Sequence, residues 1–123
     1  MTQSLDSAFK CAFAGIAQAA GQRNFKIEIG FAVAAVVLGV WLRIDFTQWA
    51  VVVLCMGVVL AGECMNTALE AVVDLASPEY HELAKRAKDC AAGAVLIESI
   101  AALFVAAFVY LPPMIALFYG LFV

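Results

Sequence analysis

Glu63, Asn66, Glu70 and Asp74 lie inside an otherwise apolar stretch of a 123-residue chain. On a helix advancing about 100° per residue, Glu70 falls only about 20° around from Glu63, with Asn66, Thr67 and Asp74 within about 60° on the same side. A carboxylate in a bilayer-spanning segment costs several kcal/mol or more, so such a residue is a functional candidate by default. Carboxylates and an amide oxygen are hard ligands suited to Mg²⁺, which takes one or two carboxylates and fills its other positions with phosphate and water. Lys88-Asp89 and Lys10 add groups able to meet phosphate. Glu63 stands about 10 Å deeper along the helix than Glu70. Metal and nucleotide can therefore sit near the surface while Glu63 meets a group held in lipid, an arrangement that reads as phosphoryl transfer from a soluble donor to a lipid alcohol.

The elements that must position these residues are membrane elements. The chain is 66% hydrophobic with a mean hydropathy of +1.00, well above the apolar share of a soluble domain. Three spans are predicted at residues 27–44, 46–73 and 91–123, each near or above the length needed to cross. The first is the shortest, and Glu28 and Arg43 at its ends are expected to snorkel to the interface. Residues 4–24 repeat apolar side chains at i, i+3, i+4 and i+7 against Asp6, Lys10, Gln18 and Gln22, which predicts an amphipathic helix on the membrane surface. Ser77-Pro78 predicts a helix start at Pro78, and Pro112-Pro113 predicts a kink or break in the last span. Six of the seven basic residues precede the first span or lie between the second and third. By the positive-inside rule both regions are cytoplasmic and the C-terminus is outside.

Several classes are set aside at this stage. Seven Lys and Arg against a net charge of -3 leave no basis for a nucleic-acid partner. The N-terminal segment lacks the basic start and unbroken apolar core of a signal peptide. Cys11, Cys55, Cys64 and Cys90 have no metal-ligand spacing with the lone His81 and are expected to be small packing residues. Neither a phosphate-binding GxxxxGK[ST] loop nor protein-kinase signatures occur, so a phosphotransferase here must be of another kind.

The segment Glu63-Cys64-Met65-Asn66-Thr67-Ala68-Leu69-Glu70-Ala71-Val72-Val73-Asp74, followed by Ala87-Lys88-Asp89-Cys90-Ala91-Ala92-Gly93-Ala94-Val95-Leu96, resembles the signature of the prokaryotic diacylglycerol kinases, a family that includes undecaprenol kinases. Phe9-Lys10-x-Ala12-Phe13-x-Gly15 and Arg23-Asn24-Phe25-Lys26-Ile27 resemble the same family's surface helix. The resemblance runs from about residue 8 to residue 105. It implies an all-α integral membrane fold, a single domain over residues 1–123, with one surface helix and three transmembrane helices in a homotrimeric bundle. It further implies active sites shared between subunits, in a bacterial inner membrane with the site on the cytoplasmic side.

By that resemblance Glu63 is the general base for the lipid hydroxyl and Asn66 its orienting neighbour. Glu70 is a Mg²⁺ ligand that also approaches ATP. Lys10, Glu79, Tyr80, His81, Lys88 and Asp89 contact the nucleotide. Gln22 stands where the family usually has a second glutamate ligand, so the metal meets an uncharged amide there unless nearby Glu28 compensates. The implied reaction is ATP-dependent phosphorylation of diacylglycerol to phosphatidic acid, with undecaprenol as the alternative acceptor. Glu79-Tyr80-His81-Glu82-Leu83 is similar to diacylglycerol kinases, whereas the Ala91–Leu96 stretch leans toward undecaprenol kinases. A small proton- or cation-coupled transporter subunit is the rival from another class, since it too explains an intramembrane glutamate. Glu98 has no role by resemblance, and a polar partner across a subunit interface is the expectation for it.

Overall fold

The computed structural model describes residues 4–122, the side chains at positions 121 and 122 excepted, and is all-helical. Four helices follow in order: α1 (Leu5–Ala20), α2 (Arg23–Leu42), α3 (Phe46–Ala76) and α4 (Glu82–Phe122). Three of them, α2, α3 and α4, are long and apolar enough to cross a membrane. The α3–α4 pair packs most extensively; α2 lies against both, and α1 touches α2 and α3.

Ser4 starts α1 by accepting a 3.3 Å hydrogen bond from the Ser7 amide. The expected single helix over 4–24 is corrected to two. The Gly21 and Gln22 amides donate to Gln18 and Ala19 three residues back, tightening the last turn, and Gln22 is extended. Gln22 is thus the N-cap of α2 and Arg23 its first residue, so neither belongs to α1.

Between α2 and α3 the chain reverses through Arg43, the one non-glycine residue with positive φ among those described (φ 53°). The Arg43 and Ile44 amides return to Val40 and Gly39, satisfying carbonyls that the helix end leaves open. Asp45 then opens α3 with a capping box: its side chain accepts from the Gln48 amide at 2.9 Å, and Gln48 accepts from the Asp45 amide at 2.9 Å. Gly39 is required at this reversal, because a Cβ there would stand 2.9 Å from the Trp49 ring and 3.0 Å from Ile44. The main buried cluster follows directly, with Ile44, Val52, Val109 and Tyr110 surrounded by Ala35, Leu38, Trp49 and Val105. Tyr110 finds its polar partner by donating to the Ala35 carbonyl at 2.9 Å.

Two other expectations are corrected. α4 starts at Glu82, not Pro78: the Ser77 hydroxyl donates to the Glu79 carbonyl, while the His81 ring accepts from the Leu83 amide at 3.1 Å and caps the helix. Glu79, Tyr80 and His81 are therefore exposed loop, and Lys85 to Asp89 share one helix with the third span. Pro112 and Pro113 do not break α4, which is helical on both sides of them. Each removes one backbone donor, a loss that long apolar helices tolerate when the remaining bonds hold. Among the cysteines, Cys55 and Cys64 are half-buried as expected, but Cys11 and Cys90 are exposed.

The chain exposes 9248 Å² of surface, against roughly 6,400 Å² for a soluble monomer of 13.1 kDa. Most of its large apolar side chains are exposed, from Phe31 and Val37 on α2 to Phe104 and Phe108 on α4. One copy does not bury its own apolar surface.

Candidate active site

The polar stripe of α3 is the most deeply buried polar feature of the chain. Glu63 is 2% exposed and Asn66 8%. Their contacts follow from helix spacing. The Asn66 amide nitrogen donates to Glu63 Oε2 at 3.4 Å and to Glu70 Oε1 at 3.1 Å, one residue serving the carboxylates three back and four ahead. Thr67 turns its hydroxyl onto the Glu63 carbonyl at 2.9 Å. These bonds use up the donors of Asn66 and leave acceptors idle: Glu63 Oε1 and Asn66 Oδ1 are buried with no partner. Buried polar groups are nearly always paired, so two orphans on adjacent turns mark a place made for something else.

Those residues line a cavity of about 280 Å³ with Asn24 and Glu28 of α2, Glu70 of α3, and Ala92, Val95 and Ser99 of α4. A second cavity of about 350 Å³ continues deeper between the same three helices and is walled by Phe31, Ala35, Val52, Val59, Leu103 and Tyr110. Ile27, Glu28 and Ser99 belong to both. An acidic chamber thus opens directly onto an apolar one.

Glu28 does not snorkel outward as expected. It is half-buried and accepts from the Ser99 hydroxyl at 3.2 Å, a bond linking α2 to α4. Glu98 turns toward α3 within the same chain, its carboxylate lying against Gly62. Sequence reading missed both contacts. The available signal was that Glu28 and Glu98-Ser99 are polar residues inside apolar spans, but nothing in their spacing names a partner.

Of the ten candidate residues, the structure brings Glu63, Asn66 and Glu70 together on one cavity. The other seven lie outside it. Lys88 pairs with Asp74 at 2.5 Å, tying the start of α4 to the end of α3. Asp89, its chain neighbour, pairs instead with Lys85 one turn back. Lys10 is exposed on α1 beside Asp6 at 2.8 Å. Glu79, Tyr80 and His81 occupy the exposed loop before α4, and Gln22 is exposed at the start of α2. Among the described residues no three His, Cys, Asp or Glu side chains converge as a metal cluster.

Three apolar helices that bury an acidic, half-satisfied chamber beside a hydrocarbon-lined one define a small bundle of membrane-type helices with its buried acids gathered at one end. Comparison with known proteins gives the family. A sequence profile of prokaryotic diacylglycerol kinases matches residues 10–110, and the chain belongs to that family. It is 47% identical over 111 residues to a diacylglycerol kinase of Synechocystis, covering 89% of this chain and 63% of that one. It is 34% identical over 91 residues to the undecaprenol kinase of Bacillus subtilis, covering 74% of each. It is 44% identical over 68 residues to the diacylglycerol kinase of Escherichia coli, covering 55% of this chain and 56% of that one. The matched region spans a little over half the length of two of these three relatives.

Proposed function

We propose that this protein is a lipid kinase that transfers the γ-phosphoryl group of ATP to the hydroxyl of diacylglycerol, giving phosphatidic acid. The observation that carries the reading is Glu63 Oε1, a buried carboxylate oxygen without a partner in a polar cavity that opens onto an apolar one. A lipid alcohol fits that junction, with its chain in the apolar cavity and its hydroxyl at the acid. Glu63 then takes the hydroxyl proton as the oxygen attacks the γ-phosphorus. Asn66, bonded to both carboxylates, keeps Glu63 and Glu70 on one face.

Glu70 and Asn66 Oδ1 are the groups that would hold Mg²⁺. They are hard oxygens, and the idle Asn66 oxygen fits that use. Bound there, the ion would supply positive charge against the negative charge of the ATP phosphates. Gln22 is the proposed second ligand. Lys88 and Asp89 would exchange their partners Asp74 and Lys85 for the nucleotide, together with Lys10 and the exposed Glu79-Tyr80-His81 loop.

The excess exposed apolar surface supports a homotrimer with sites shared between subunits. α1 is proposed to lie on the cytoplasmic face of a bacterial inner membrane, its exposed Leu5, Phe9 and Phe13 turned to lipid. The higher identity to a diacylglycerol kinase favours diacylglycerol over undecaprenol. The test is transfer of label from γ-labelled ATP to lipid by purified protein in mixed micelles offering both alcohols. Labelled phosphatidic acid is expected, labelled undecaprenyl phosphate alone would reassign the acceptor, and no labelled lipid would refute the kinase.

A further inference from the structure

The apolar cavity has more room than packing normally leaves. Protein interiors keep few voids larger than a water molecule, yet about 350 Å³ stands open between α2, α3 and α4. Small side chains make the space: Ala32 and Ala35 line it from α2, Ala102 and Ala106 from α4, and residues three or four apart share one face of a helix. At its polar end the cavity joins the acidic chamber through Ile27, Glu28 and Ser99. Its far end runs into packed side chains. Val52 and Tyr110 belong both to its wall and to the buried cluster at the α2–α3 reversal. Tyr110 is 6% exposed, and its hydroxyl joins α4 to α2 there by donating to the Ala35 carbonyl at 2.9 Å. Ser99 and Tyr110 lie about 16 Å apart along α4 by helical rise. On the outer side Ile27, Phe31 and Leu103 are exposed, which leaves a sideways entry from the bilayer.

We propose that Tyr110 is a specificity-determining residue, the floor of a subsite for one acyl chain of the acceptor, so that the enzyme selects acceptors whose chain ends at its ring; this rests on the lipid-kinase reading. An apolar cavity of about 150 Å³ accepts one six-carbon ring, benzene, so on that scale the ~350 Å³ here takes about 12 to 14 carbons. That is one unbranched chain, and the second chain of a diacylglycerol stays in the bilayer. Leaving one hydrocarbon phase for another brings no hydrophobic gain, so selection comes from fit. A short chain leaves part of the wall without contact partners. A long one meets the Tyr110 ring and has to bend out past Phe31 and Leu103.

Purified full-length protein, assayed with ATP and Mg²⁺ in mixed micelles against saturated diacylglycerols of increasing chain length at matched mole fraction, tests this. kcat/KM should peak near ~12 to 14 carbons and fall several-fold for chains a few carbons longer. Tyr110→Phe keeps the ring and should leave the peak in place, whereas Tyr110→Ala opens the floor and should move it to longer chains. Ala102→Leu fills the cavity from α4, about one turn beyond Ser99, and should move the peak to shorter chains; where Tyr110→Ala does not fold, this variant carries the test. A second readout needs no turnover. A diacylglycerol with a diazirine at the end of a chain of about 12 carbons should photolabel the peptides holding Val52 and Tyr110, and one with the diazirine beside the ester should label those around Glu28 and Ser99. A flat length profile in wild type would overturn the proposal. So would equal losses at every length in Ala102→Leu, or chain-end label spread over the exposed Phe104 and Phe108. The underlying reading fails separately: chain-end label at Tyr110 in a protein that phosphorylates no lipid refutes the kinase and leaves the subsite, whereas phosphorylation with a flat profile refutes only the subsite.

Discussion

The two ends of the bundle are built on opposite terms. At the α2–α3 reversal Ile44, Val52, Val109 and Tyr110 close on one another, the one buried hydroxyl has its carbonyl, and Gly39 lets the Trp49 ring pack onto backbone. At the other end Glu28, Glu63, Asn66 and Glu98 each keep a buried oxygen with no partner, and these are all such atoms among the described residues. Each unmade bond of this kind costs about 1–3 kcal/mol. Under the proposed function, a chain that satisfies one end and gathers its buried unpartnered oxygens at the other is expected to hold its packing at the first and its reaction at the second. Substitutions at the two ends should therefore separate rate from stability.

The largest effect expected is at Glu63. Glu63→Gln preserves shape but removes the proposed base, so kcat should fall by ~10²–10⁴ with no loss of thermal stability, since an amide in that chamber is less costly than an unpaired carboxylate. Stopped-time label transfer and a melting curve on the same preparation check both halves, and retention of more than a tenth of the rate would end the assignment. Next comes Glu70→Ala, which removes the proposed metal ligand and the partner of Asn66. Affinity for ATP·Mg²⁺ measured by calorimetry should drop along with the rate, and tight binding by that variant would put the ligand elsewhere.

Gly39→Ala probes the packed end. Its methyl would press on Trp49 and Ile44 at 2.9–3.0 Å, and overpacking of this sort costs roughly 1–3 kcal/mol. The melting temperature should fall while kcat per folded molecule stays within twofold of wild type. A large drop in kcat at unchanged stability would mean that the two ends are coupled rather than separate.

How much of this was legible beforehand depended on the range of the contact. The three long apolar helices and the Glu63/Asn66/Glu70 constellation could be read because runs of hydropathy and i, i+3, i+4 neighbours are written locally. The break between α1 and α2 was not, because it rests on backbone bonds from Gly21 and Gln22 to residues three back, not on a strong breaker. Ser77-Pro78 gave a sound start signal that lost to His81, whose ring cap no propensity rule ranks highly. The Glu28–Ser99 bond joins residues 71 apart, and the Glu98–Gly62 contact likewise joins two helices. Packing between helices decides such pairs, and a single sequence does not record it.

The smallest effect, and the one that refines the polar end most finely, is at Gln22. The residue is exposed and caps α2 without a side-chain bond, but Asn24, two residues and about 3 Å of helical rise further on, lines the chamber with Glu70. A carboxylate at position 22 would add a hard anion near the proposed Mg²⁺ and also suit the positive end of α2. The two consequences separate by their dependence on Glu70. As a metal ligand, Gln22→Glu should lower the Mg²⁺ concentration for half-maximal rate by a few fold, and the shift should vanish in the Glu70→Ala background, where the shared ion is already lost. As a helix cap alone it should raise the melting temperature slightly in both backgrounds and leave the Mg²⁺ curve where it was. A Mg²⁺ titration of the four combinations distinguishes these outcomes, and an unmoved curve would make Glu28, which lines the chamber with Glu70, the better candidate for a second ligand.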